Sequence, residues 1–181
     1  MDASFQDETI AHLQKHIRDV PDFPKPGILF KDITPLFKNV EARKRALQKT
    51  LEGLTVFDFN VVAGVDSRGF LFASLIAHEL DLPFVLIRKK GKLPADKIER
   101  SFSLEYGEST LEIHKDALTS QDKVLVVDDL LATGGTAAAA AELVEALGAQ
   151  VSVFSFLIEL EFLKGRGKIA QHEVSSLLIY S

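Results

Sequence analysis

Asp128 and Asp129, followed closely by Ala132-Thr133-Gly134-Gly135-Thr136, are the residues of this chain whose types and spacing speak most directly of chemistry. Adjacent carboxylates accept hydrogen bonds from neighbouring sugar hydroxyls. Small side chains, two hydroxyls and two glycines let consecutive backbone N–H groups converge on an anion. Together they read as a ribose site joined to a cradle for a 5-phosphate. Neither of the two commoner phosphate loops is present, since the segment lacks both G-x-x-x-x-G-K-[ST] and G-x-G-x-x-G.

These groups need a strand and a helix to hold them. Val124-Leu125-Val126-Val127 is a short apolar run of the kind found in a central parallel strand covered on both faces, which places Asp128 and Asp129 at its carboxyl end, the edge where open α/β sheets bind ligands. Thr136 to Leu147 is alanine-rich, with Gly148 as its stop, so it predicts a helix whose positive end points at the cradle. Elsewhere, helices are expected at Glu8 to Asp19, Val40 to Leu51 and Gly69 to Leu80. Strands are expected at Val61 to Val65, Pro83 to Arg88, Val124 to Asp128, Val151 to Leu157 and, at an edge, Val174 to Tyr180. The alternation predicts an α/β fold, a central, mainly parallel sheet flanked by helices. Leu93 to Leu118 breaks the rhythm and reads as a two-stranded excursion carrying a mobile lid. The residues before about Asn39 read as a small hood, with a proline-punctuated loop at Pro21 to Pro26, within one domain spanning the chain.

The stretch from Val124 to Thr136 resembles the 5-phosphoribosyl-1-pyrophosphate (PRPP) signature of the type I phosphoribosyltransferases. Val20-Pro21-Asp22-Phe23-Pro24-Lys25-Pro26-Gly27-Ile28-Leu29-Phe30-Lys31-Asp32-Ile33-Thr34-Pro35-Leu36 is similar to their adenine-specific branch, the adenine phosphoribosyltransferase family. So are Gly64-Val65-Asp66-Ser67-Arg68-Gly69-Phe70, Ile87-Arg88-Lys89-Lys90-Gly91-Lys92-Leu93-Pro94 and Ser103-Leu104-Glu105-Tyr106-Gly107. These segments occur in order and run from about Val20 to Lys168. Lys31 stands where arginine is frequent in the family.

The resemblance implies purine salvage: a nitrogen of adenine displaces pyrophosphate from C1 of PRPP with inversion, giving AMP. Asp128 and Asp129 would hold the ribose, and Ala132, Thr133, Gly134, Gly135 and Thr136 the 5-phosphate. Asp66, Ser67, Arg68 and Gly69, with Arg88, Lys89 and Lys92, would receive pyrophosphate, Arg88 and Lys92 reaching it from a neighbouring subunit of a homodimer. The Asp66-Ser67 peptide is the place to look for a cis linkage. Phe30 would stack on adenine while backbone groups of Leu29 and Lys31 read its edge, their side chains free to vary. Glu105 would be the catalytic residue, acting by proton transfer or by stabilising ribosyl charge, and Tyr106 would help close the lid. Magnesium would be held chiefly by PRPP oxygens, without a dedicated protein cage.

Composition bounds the alternatives. At 181 residues and 46% hydrophobic content the chain can bury the core of one domain. Zero cysteines exclude a disulfide framework and a thiolate nucleophile, and suit a cytoplasmic protein. No signal peptide or membrane span is expected, the amino terminus lacking a basic segment followed by an apolar one. A net charge of −5 argues against general nucleic-acid binding, whereas a small polyanion needs only the local charge of Arg68, Arg88, Lys89, Lys90 and Lys92. The five histidines, including His12 and His16 on one helix face, form no metal-ligand spacing. Two other readings remain: a phosphoribosyltransferase for hypoxanthine, guanine, xanthine or orotate, against which the hood and lid segments speak, and a PRPP-sensing regulator, which would need an added basic domain.

Overall fold

The computed structural model describes residues 3–103 and 108–181. Contacts divide the chain into two compact units, Met1–Lys49 and Thr50–Ser181.

The first unit holds α1 (Ala3–Gln14), β1 (Arg18–Pro21), β2 (Leu29–Asp32), α2 (Thr34–Lys38) and most of α3 (Val40–Leu54). The helix expected to reach Asp19 ends at Gln14, because Arg18–Pro21 pairs antiparallel with β2 in the register Arg18↔Asp32 to Pro21↔Leu29. Arg18 and Asp19 are polar enough for either state, and a distant partner decides between them. Asp32 ties this hairpin together. Its carboxylate accepts from Arg18 Nη2 at 2.5 Å, from the Thr34 N–H at 2.9 Å and from the Thr34 hydroxyl at 2.9 Å. The loop between the strands turns at Asp22 (φ 56°) and Gly27 (φ 85°), and the Gly27 N–H donates to Asp22 Oδ1 at 2.7 Å. The Phe23-Pro24 peptide is cis.

The second unit is built on a seven-stranded sheet. Its strands are β3 (Val61–Val65), β4 (Phe84–Lys89), β5 (Lys97–Ser103), β6 (Glu108–His114), β7 (Lys123–Leu131), β8 (Gln150–Leu160) and β9 (Glu173–Tyr180), in the spatial order β5-β6-β4-β3-β7-β8-β9. Strands β4, β3, β7, β8 and β9 run parallel. The excursion after β4 is an antiparallel hairpin, β5–β6, that joins the sheet beside β4, and β9 forms the opposite edge as expected.

Helix α4 (Arg68–Glu79) links β3 to β4, and α5 (Gly135–Ala146) links β7 to β8. Period-two burial sorts the core onto two faces. Val61, Ala63, Val65, Val124 and Val126 pack with Ala137, Ala140, Ala141, Leu143 and Val144 of α5. Gly64 faces the other way, against α4, where a Cβ would lie 2.9 Å from that of Ala73.

This topology has a consequence for ligands. From β3 the chain leaves through α4 to β4 on one side, while β7, on the other side of β3, leads through α5 further outward to β8. The switch point is therefore between the carboxyl ends of β3 and β7, where open α/β sheets bind ligands.

Candidate active site

At that switch point lies a cavity of about 270 Å³ lined by Asp66, Ser67, Arg68, Lys89, Phe102, Ser109, Leu111, Asp128, Asp129 and Thr136. Six of these were expected at the site from sequence on the β3 and β7 loops: Asp66, Ser67, Arg68, Asp128, Asp129 and Thr136. Lys89, also expected, comes from β4.

The acidic pair does not end its strand, as the apolar run alone implies. Pairing of β7 with β3 stops at Val127, opposite Gly64, but pairing with β8 continues to Leu131, opposite Glu159. Asp128 and Asp129 thus stand on rigid strand where one neighbour has already turned away. The approach of α4 is close. A Cβ on Gly69 would fall 2.8 Å from Asp128 Oδ1 and 2.9 Å from the Val127 carbonyl oxygen, so only glycine fits that first turn of the helix. Gly69 therefore has a packing role within the turn expected to meet pyrophosphate.

Burial pushes the Asp128 carboxyl well above the ordinary carboxylate range, and the neighbouring Asp129 charge pushes it the same way. Burial also raises Asp129, against the opposing charge of Arg68, whose Nη2 lies 2.7 Å from Asp129 Oδ2. The Asp129 N–H donates to Asp128 Oδ1 at 2.9 Å. Two adjacent carboxylates lining a cavity, with the Arg68 guanidinium beside one of them, form a site suited to hydroxyl donors.

The two loops that follow β3 and β7 are both open to anions. Ser67 precedes α4, yet its side chain caps nothing, and the Asp66 carboxylate is engaged by Arg88 Nε at 3.1 Å rather than by the helix. Asp66-Ser67 is a cis peptide. Gly134 precedes α5 in the left-handed region (φ 78°), and no side chain caps this helix either. Neither helix start, then, carries a side-chain cap, and such helix N-termini favour anions.

One contributor to the phosphate loop escaped sequence reading. Gly165, in the 3-10 turn Gly165–Ile169, packs so tightly that a Cβ there would sit 2.2 Å from the Ala132 carbonyl oxygen, and one on Gly134 would sit 2.3 Å from the Gly165 carbonyl oxygen. The next residue secures it. Arg166 donates Nε and Nη2 to Glu159, which is 4% exposed, at 2.6 and 2.7 Å. The only sequence signal was a glycine among basic residues, Lys164-Gly165-Arg166-Gly167-Lys168. Phe102, Ser109 and Leu111 were likewise read only as part of the lid excursion.

Arg88 and Lys92 do not line the cavity. The Arg88 Nη1 donates to the Lys92 carbonyl oxygen at 3.2 Å, and the guanidinium lies 5.7 Å from the Phe70 ring centroid. Lys90 instead pairs with Glu99 at 3.0 Å on the surface. In the first unit Leu29 is 48% exposed, whereas the Lys31 side chain is buried and pairs with Asp19 at 2.6 Å, so it is not the freely variable side chain expected. Phe30 is half-buried, edge-on to Phe23 with ring centroids 5.1 Å apart. Glu105 and Tyr106 lie outside the described residues.

Fold and site together define a sugar-phosphate-binding α/β protein of the type I phosphoribosyltransferase class. Residues 36–166 match the phosphoribosyl transferase domain family, and the chain belongs to that family. It is 50% identical over 168 residues to an adenine phosphoribosyltransferase of Nitrosococcus oceani, covering 93% of this chain and 98% of that protein. The crystal structure of the adenine phosphoribosyltransferase of Thermoanaerobacter pseudethanolicus superposes with a TM-score of 0.93 at 45% identity, covering 94% of this chain and 99% of the other. That of Saccharomyces cerevisiae, complexed with adenine and an imino-altritol bisphosphate, gives 0.89 at 38%, covering 95% and 99%.

Gly165→Ala is expected to force the Ala132 carbonyl aside, at a cost of about 1–3 kcal/mol in stability. It should also raise KM for PRPP. Urea denaturation and initial-rate kinetics check the two effects, and an unchanged KM would contradict the buttressing of the loop by Gly165.

Proposed function

We propose that this chain is an adenine phosphoribosyltransferase, which transfers the 5-phosphoribosyl group of PRPP to adenine and releases AMP and pyrophosphate in purine salvage. The observation that carries the reading is the pairing of Asp128 and Asp129 with two uncapped helix starts at one switch point. As the C1 to pyrophosphate bond loosens, the ribose gains positive charge and the leaving group negative charge, so the chemistry calls for fixed charge at both ends. Asp128 and Asp129 accept the ribose hydroxyls and supply negative potential on the sugar side. The backbone N–H groups of Ala132 to Thr136 hold the 5-phosphate. Ser67, Arg68 and the amides beside Asp66 and Gly69 receive pyrophosphate, with Lys89 from the cavity wall.

Arg88 and Lys92 complete that charge from the partner subunit of a homodimer. Neither side chain lines the cavity of its own chain, as this assignment requires, although Arg88 touches the lining residue Asp66. The cavity offers the hard carboxylate oxygens of Asp128 and Asp129. These fit a magnesium ion bound mainly through PRPP, which when present neutralises the pyrophosphate. Glu105 and Tyr106 belong to the lid that excludes water from the activated sugar. Hood and sheet units act as one catalytic domain. The cysteine-free chain suits the reducing cytoplasm, and among the described residues no helix is long and apolar enough to cross a membrane.

Phe30 stacks on adenine, and Leu29 and Lys31 read its edge through their backbone. Phe30→Ala is expected to remove about 1–3 kcal/mol of stacking, a rise of roughly 5- to 150-fold in KM for adenine. KM for PRPP should stay as it is. Equal changes in both would assign Phe30 to packing of the hood.

The reaction itself is tested by mixing the protein with PRPP, magnesium and adenine and assaying both products. AMP and pyrophosphate are expected in equal amounts. Pyrophosphate without AMP would mean hydrolysis, and would contradict the reading.

A further inference from the structure

We infer that Glu112 is a positioning residue for the cations Arg88 and Lys92, an inference that rests on the proposed assignment of those two residues to pyrophosphate. Glu112 lies on β6 between Leu111 and Ile113 and is 0% exposed. A carboxylate there is costly unless its oxygens are fully bonded, and an apolar residue would satisfy the strand at less cost.

Its oxygens are spent on one turn. They accept the backbone N–H groups of Gly91 at 3.0 Å, Lys92 at 2.7 Å and Leu93 at 2.6 Å. Burial pushes the carboxyl up, but these three bonds and the Lys97 charge together hold it below its usual range. The turn needs such a clasp because it doubles back through Gly91 at φ 79°. The same turn then fixes the guanidinium. Lys92 is held at its N–H by Glu112 and at its carbonyl by Arg88 Nη1, and Arg88 Nε reaches Asp66 Oδ2 at 3.1 Å. Arg88 and Glu112 are also directly opposed in the β4–β6 ladder. One buried carboxylate therefore sets where the Lys92 side chain departs, where the Arg88 fork points and, through Asp66, how the turn after β3 is held. Misplacement of such charges by about 1 Å costs up to roughly a hundredfold in rate.

Glu112→Gln tests this, since glutamine keeps the volume but offers a single acceptor oxygen and turns an NH2 toward the same donors. Inorganic pyrophosphate with magnesium, and separately AMP, are titrated calorimetrically into wild type, Glu112→Gln and Arg88→Ala. Expected for Glu112→Gln is a loss of about tenfold or more in pyrophosphate affinity with AMP affinity within about twofold of wild type. Wild-type affinity for pyrophosphate, or equal losses for both ligands, would overturn the positioning role. Arg88→Ala separates the two levels. If it binds pyrophosphate like wild type, the assignment of Arg88 itself falls and the inference with it. If it loses pyrophosphate while Glu112→Gln does not, only the inference falls. Should Glu112→Gln not fold, amide exchange on wild type decides: Gly91, Lys92 and Leu93 should exchange slowly and slow further with pyrophosphate but not with AMP. Exchange insensitive to pyrophosphate would overturn the inference.

Discussion

Asp128→Asn is expected to lower kcat/KM by about 10²–10³-fold while raising the Tm of the ligand-free protein at neutral pH. The two effects share one cause. Asp128 is held beside Asp129 at the cavity, and both burial and the neighbouring charge disfavour its ionised form. Its folded-state pKa is above the unfolded value, so the folded protein binds more protons between those values and stability falls as pH rises through that window. Above the window the full cost stands. Asparagine keeps the acceptor for the Asp129 N–H at 2.9 Å but carries no charge, so the cost disappears. For a chain of this size each kcal/mol regained raises Tm by about 2–4 °C. Asp129→Asn should gain less, because burial disfavours the Asp129 charge too but the Arg68 guanidinium, whose Nη2 lies 2.7 Å from Asp129 Oδ2, offsets part of that cost. Calorimetric scans across pH, with kinetics at neutral pH, check the pair; a wild-type Tm for Asp128→Asn that also stays parallel to wild type across pH would contradict the like-charge account.

Glu105→Gln is expected to reduce kcat by about 10²–10⁴-fold with a smaller change in KM for PRPP. Two roles are open to this carboxylate, moving a proton on adenine or stabilising positive charge on the ribosyl ring, and glutamine can do neither while preserving size and hydrogen bonding. The pH profile of kcat distinguishes them. Proton transfer predicts loss of one limb of the profile in the variant, whereas charge stabilisation predicts a uniform fall with the limb retained. A variant with wild-type kcat would remove Glu105 from the chemistry altogether.

What could be read from sequence was what lies together in sequence. The strand, acidic pair, glycine loop and helix from Val124 to Ala146 are contiguous, so periodicity and residue type sufficed. Even there the end of β7 was misplaced. Its last residues up to Leu131 are ordered by β8, and a partner's register leaves no trace in the run itself. The same reason cut α1 short, since Arg18–Pro21 answers to Leu29–Asp32. Gly165 was invisible because its role is set by the Ala132 carbonyl, and Glu112 because three distant N–H groups need it. Lys31 looked variable if its backbone alone is used, but its side chain is committed to Asp19. Contacts made by backbone atoms constrain partners more than they constrain the residue type that makes them.

The most direct measurement is a competition: purified protein, PRPP and magnesium with adenine, guanine, hypoxanthine and orotate in equimolar mixture, and chromatography of the nucleotides formed. AMP as the dominant product is the expected result. Another nucleotide in its place would leave the PRPP site standing and overturn the reading of Leu29, Phe30 and Lys31, while no nucleotide at all would contradict the transferase activity itself.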